Sequence, residues 1–187
     1  MGATTDAQDG KVLRPTDGKV AVGATDDDLP RSPTDPKLYR ADVVMDRPYG
    51  ELIEGAWFAS RQRTITETDV VNFASLTGDW HPAHTNRLWA EENVFGQRIA
   101  HGMLLLSYAI GLVPNAYIVA LRRIKNVIYK EPVRFGDTVH VRGRCERLQP
   151  IDDQVGMVTA KWKLVNQDLD TCVKMEFETL WRATWIT

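Results

Sequence analysis

Thr77-Gly78-Asp79-Trp80-His81-Pro82-Ala83-His84-Thr85-Asn86, with Ala100-His101-Gly102-Met103 closing the same stretch, decides how this chain is read. Three of its four histidines lie inside it. Asp79 precedes His84 by five positions, with Gly78 ahead of the Asp and Pro82 between the pair. Acid–base chemistry needs such a pair close together on a stiff backbone. Pro82 fixes its own φ and pushes His81 toward an extended conformation. Gly78 allows the turn that ends a preceding helix. His101-Gly102 opens the most apolar segment of the chain, Met103 to Val113. A helix starting there aims free backbone N–H groups, and the positive end of its dipole, at whatever lies beside Gly102.

Upstream of this stretch, Thr66 reads as an N-cap, with Asp69 in the place of the usual capping-box Glu. Val70, Phe73, Ala74 and Thr77 follow at helical spacing, so 67–76 is expected to be a helix that ends at Gly78. Residues 85–93 suggest a second short helix, with Leu88 and Trp89 packing inward. Before both, Ala56-Trp57-Phe58 carries a strand signal that Arg61 to Thr64 would extend. Met103 to Val113 is apolar nearly all round and reads as a buried helix stopped by Pro114-Asn115.

The last third is β. Tyr117 to Tyr129 holds Ile118-Val119-Ala120 and Val127-Ile128. Thr138 to Arg144 alternates, with Val139 and Val141 opposite His140 and Arg142. Val158, Ala160, Trp162 and Leu164 share one face, as do Val173, Met175, Phe177, Thr179 and Trp181. Period-two alternation of this kind means antiparallel strands with one covered face, for which the apolar helix is the natural cover.

With 187 residues the chain can bury one good core, and 43% hydrophobic with 26% charged residues is ordinary for a soluble protein. A net charge of −2 argues against nucleic acid as the main partner. Cys145 and Cys172 could form one disulfide, but two packed thiols in a cytoplasmic protein fit better. No basic segment followed by an apolar core marks a signal peptide, and the 103–113 run is too short to span a bilayer. Residues 1–38 are polar, sustain no helix or strand period and carry an Asp26-Asp27-Asp28 run. They read as a flexible or extended arm ahead of one domain, 39–187.

Gly78, Asp79, Pro82, His84 and Asn86, then His101-Gly102-Met103 at a helix start, resemble the active-site signature of the MaoC-like, (R)-specific enoyl-CoA hydratase/dehydratase family. His81 stands where that family usually has Asn. The resemblance implies an α+β hot-dog domain, an antiparallel sheet wrapped around the Met103–Val113 helix, assembled as a homodimer or higher homo-oligomer. It implies a lyase that reversibly hydrates a trans-2-enoyl thioester of coenzyme A or acyl carrier protein to a 3-hydroxyacyl thioester.

On this reading Asp79 and His84 activate water and Gly102 offers its backbone N–H to the oxyanion. His81, Asn86, His101, Met103 and Ser107 are candidates to contact substrate. No metal or redox cofactor is required, because the thioester itself acidifies the α-carbon. Taken alone, Asp79 is better read as a carboxylate making turn hydrogen bonds, and His84 as a partly buried loop histidine. The neighbouring Pro82, Asn86 and His101-Gly102-Met103 turn the pair toward catalysis. A metal held by Asp79, His81, His84 and His101 matches no motif of known mechanism. Arg122, Arg123, Lys125, Lys130 and Arg134 read first as a solvated strand face and second as a surface for coenzyme A phosphates or an acidic carrier. Two other functions share the sequence pattern: an acyl-thioester hydrolase on the same fold, and a non-catalytic hot-dog subunit of a heteromeric dehydratase.

Overall fold

The computed structural model describes residues 38–184. The reading of residues 1–38 as an arm therefore falls, but for Leu38, outside the described residues. Leu38 already belongs to the body: β1 (Leu38–Arg40) pairs in parallel with β2 (Trp57–Ala59). After α1 (Ala41–Val44) and β2 come β3 (Arg63–Thr64), α2 (Glu67–Thr77), α3 (Pro82–Thr85), α4 (Arg87–Glu91) and α5 (Gly102–Leu112). Four long strands finish the chain: β4 (Ile118–Tyr129), β5 (Thr138–Pro150), β6 (Val155–Val165) and β7 (Thr171–Arg182). They join one sheet in the order β1-β2-β5-β6-β7-β4, with β3 on β5, and every pairing but the first is antiparallel.

The sheet curls around α5, as expected. Leu104, Leu105, Leu106, Ala109 and Leu112 of that helix are buried in one cluster with Val139 and Val141 of β5. Val158, Trp162 and Leu164 of β6, with Val173, Phe177 and Trp181 of β7, complete it. Each such leucine contributes about 1.5–3 kcal/mol by leaving water. α5 is not covered all round, however. Met103, Ser107 and Gly111, four residues apart in turn, form an exposed stripe. β4 is also largely exposed, and Val119, Leu121 and Ile128 leave apolar surface open along it.

Three further expectations need correction. Arg61 to Thr64 does not prolong β2. Ser60 spends its hydroxyl on the Val141 N–H (2.8 Å), the ladder is interrupted, and the chain rejoins β5 as β3 at Val139. Leu88 and Trp89 do not pack inward: they are 63% and 37% exposed, and Ala90 is the buried residue of α4. β5 is not open on its second face, for His140 and Arg142 are both buried. Burial, with Arg142 beside it, lowers the His140 pKa. Cys145 and Cys172 are free buried thiols on β5 and β7, pushed up by burial to about 12 and about 11. No helix among the described residues is long and apolar enough to cross a membrane.

Candidate active site

α2 delivers the first functional residue. Thr66 and Asp69 form the expected capping box: the Asp69 N–H donates to Thr66 Oγ1 (3.2 Å) and the Thr66 N–H to Asp69 Oδ2 (2.8 Å). The other Asp69 oxygen accepts from Arg63 (2.7 Å) and from the Tyr108 hydroxyl of α5 (2.6 Å). Burial alone would raise the Asp69 carboxyl, but Tyr108, Thr66 and Arg63 outweigh it and hold it well below the usual carboxylate range. Burial, then Asp69, pushes the Tyr108 phenol up to about 12. One carboxylate therefore fixes the start of α2 against the central helix. At its other end Gly78 takes the left-handed conformation, φ 77°, and its N–H donates to Ala74 O, turning the chain so that Asp79 leaves the helix. An L side chain at that φ would be strained.

α3 is a single turn that opens with Pro82 and carries His84. Ile99 holds it from outside. The Ile99 N–H donates to Ala83 O (3.0 Å), and Ile99 O accepts from His84 Nδ1 (2.8 Å). A carbonyl can only accept, so Nδ1 carries the proton and His84 Nε2 keeps its lone pair. Burial lowers the His84 pKa more than the Ile99 bond raises it, and nearby His101 lowers it further. The imidazole is thus held neutral, in the tautomer of a base.

His101 precedes α5 and is 1% exposed. Its Nε2 donates to the Asp79 carbonyl (3.0 Å), and its ring lies on that of His84, centroids 3.8 Å apart at 30°. One donor or acceptor atom from each of Asp79, His84 and His101 falls within 4.8 Å of the others. That spacing would admit a cation, but His101 Nε2 is committed to the Asp79 carbonyl and His84 Nδ1 to Ile99 O, which leaves His84 Nε2 facing the Asp79 carboxylate's end of the site as a proton acceptor.

Gly102 is the first residue of α5, and the Tyr129 ring packs on it: a Cβ there would come within 2.8 Å of that ring. The glycine lets the ring lie this close and leaves its N–H at the helix start.

Of the remaining candidates, Asn86 uses its side-chain oxygen to cap α4 at the Trp89 N–H (3.1 Å), and Ser107 donates to Met103 O (2.9 Å). Met103 is 59% exposed beside Tyr129. His81 caps α3. The basic stretch is partly engaged, Arg123 with Glu178 (3.6 Å) and Lys125 with Glu176 and Glu178. A cavity of about 570 Å³ at the far end of α5 is lined by Ser60, Gly111, Val113 and Asn115, among others, and neither Asp79 nor His84 lines it. The sequence reading missed Ile99, Tyr129 and the Asp69–Tyr108 link. Ile99 acts through its backbone, which no residue type announces, and the other two join residues far apart in sequence.

Fold and site together define a hot-dog protein with an Asp–His pair at the start of its central helix. The sequence model of the MaoC like domain matches residues 51–167, and the chain belongs to that family. Protein MaoC of Klebsiella aerogenes is 42% identical over 105 residues, 54% of this chain and 31% of that protein. An (R)-specific enoyl-CoA hydratase of Rhodospirillum rubrum is 39% identical over 97 residues, 49% of this chain and 65% of that one. The chain thus spans from about a third to just under two thirds of these relatives' lengths. Among solved structures, a monoamine oxidase regulatory protein from Archaeoglobus fulgidus superposes with a TM-score of 0.67 at 33% identity, over 73% of this chain and 95% of that one. A Mycobacterium tuberculosis protein with a double hot-dog fold gives 0.67 at 16% identity over 75% and 46%, a likeness of fold alone.

Proposed function

We propose that this protein is a hydro-lyase that adds water reversibly across the double bond of a trans-2-enoyl thioester, giving the 3-hydroxyacyl thioester. One observation carries the reading: Asp79 and a neutral His84, its Nε2 lone pair unspent, converge beside the N-terminus of α5. The relatives named as hydratases support it. Water held by the Asp79 carboxylate gives a proton to His84 Nε2 as its oxygen bonds to C3. The π electrons move through C2 to the thioester oxygen, and the Gly102 N–H meets the charge that develops there. His84 Nε2 then returns that proton to C2 on the same face and the thioester carbonyl re-forms. Every electron pair stays within substrate, water and these residues.

The acyl carrier is coenzyme A or acyl carrier protein, the product has the (R) configuration, and the working form is a homodimer in the cytoplasm. Loss of enoyl conjugation, followed by absorbance over a panel of chain lengths, tests the reaction. Steady loss with at least one thioester is the expected result. A folded protein that hydrates none of them would end the reading. Release of free thiol from a saturated acyl-CoA would replace it with thioester hydrolysis.

A further inference from the structure

We infer that His81 is the positioning residue of this site: its neutral imidazole, protonated on Nε2, caps α3 and thereby sets His84 against Asp79. The kinetic part of this inference rests on the hydration reading, and the structural part does not.

His81 Nδ1 accepts from the Ala83 N–H at 3.2 Å. A ring nitrogen that accepts from an N–H carries the lone pair, so the proton of the neutral ring sits on Nε2. The rest of the residue reaches both members of the pair. Its own N–H donates to Asp79 Oδ1 (3.3 Å), and its carbonyl accepts from the His84 N–H (2.9 Å) and from Thr85 Oγ1 (3.2 Å). α3 has only four residues. One turn cannot sustain itself, so its end contacts decide its geometry. Ile99 supplies one such contact and His81 another.

An Asn at this position would cap through its side-chain oxygen at any pH. Histidine keeps the acceptor only while neutral. A proton on Nδ1 turns it into a donor facing another donor, and the cap is lost. The charged or titratable groups around it are Asp79 in its own loop and His84 on α3, ring centroids 6.1 Å apart, with His101 behind His84. α4 presents the neutral Trp89, edge-on at 5.4 Å, and its charged residues Arg87 and Glu91 pair with each other. Outside that ion pair, Asp79 alone of these groups attracts the cation. The protonated ring therefore leaves Ala83 for the carboxylate, where it competes with the water.

Nitrogen-resolved NMR of the histidines, with amide shifts followed against pH, tests the structural part. At pH ~8, where histidine is neutral, His81 should show an unprotonated Nδ1 and a protonated Nε2. The Ala83 amide should follow the His81 titration and lose that response in His81→Asn. A proton on Nδ1, or an Ala83 amide indifferent to His81, would overturn the inference. The kinetic arm compares kcat/KM against pH for the native protein, His81→Ala and His81→Asn, each checked for folding. Loss of a cap should lower the His81→Ala value about fivefold to tenfold in the neutral range. His81→Asn should recover most of that loss and move the acid limb to lower pH. Equal losses in both variants, or an acid limb that stays in place in His81→Asn, would sink the proposal. If no enoyl thioester is hydrated by any of the three, the hydration reading falls and the NMR still decides the cap.

Discussion

At the scale of single residues, the site commits one ring nitrogen of His84 and one of His101 to a backbone carbonyl, which leaves the second nitrogen of His84 free to act as a base. Ile99 O takes the Nδ1 proton of His84, and the Asp79 carbonyl takes the Nε2 proton of His101. The consequence for pH has a clear sign. The His84 pKa is lowered, chiefly by burial, so its folded form prefers to be neutral. Followed by NMR, His84 should titrate below the ordinary histidine value of about 6.5. Its contribution to stability is present above that value and is lost as pH falls, because the unfolded chain takes up the proton first. A titration at or above 6.5 would show that the ring is not held as described. Asp79→Asn and His84→Ala should each lower kcat by roughly a hundredfold to ten-thousandfold, the usual share of general acid–base catalysis. The double variant should be little worse than either, since both act on one water. Losses that multiply would separate the two residues into independent roles.

At the scale of elements, the Asp69 carboxylate ties α2 to α5 and so fixes where Asp79 emerges. Its folded pKa is depressed far below the ordinary aspartate value of 3.8, so its stabilisation is full above about pH 4 and fades as acid protonates it. Asp69→Asn should lower the melting temperature by several degrees at neutral pH, for a loss of about 1–3 kcal/mol. The gap from the native protein should close below about pH 4. A constant gap across that range would assign the effect to packing instead.

The same elements show what could be read from residues alone. Thr66, Asp69 and Gly78 mark the ends of α2 because caps are local, and all three were legible. β6 and β7 were legible because their alternation matches a sheet with one face on α5. Leu88 and Trp89 misled because apolar side chains normally seek a core, yet α4 presents Ala90 to it. Ser60 broke β2 through a side-chain bond to Val141, eighty-one positions away, which no local pattern carries. Asp79, His84 and Gly102 stood out by spacing, whereas the tautomers that give the histidines their chemistry depend on carbonyls invisible in sequence.

At the scale of the whole molecule, two surfaces stand uncovered together. β4 ends the sheet with no further strand beyond it among the described residues, and Val119, Leu121 and Ile128 are exposed along it. An exposed edge of this kind invites pairing with another strand. A second copy joined edge to edge would cover it and give the homodimer proposed above. Sedimentation should then show a dimer, and a Val119→Lys, Leu121→Lys double variant should weaken it at least tenfold in Kd. A native protein that sediments as a monomer would refute the arrangement. The Tyr129 ring, at the end of that same strand, lies against Gly102 and so links the open edge to the start of α5. The two positions are therefore coupled unequally over evolutionary time. Any lineage that gains a side chain at 102 must shrink or displace the ring at 129, while a lineage that keeps the glycine is free to trade one aromatic for another. Position 129 can therefore vary while 102 stays glycine, whereas a side chain gained at 102 has to be met by a smaller or displaced one at 129.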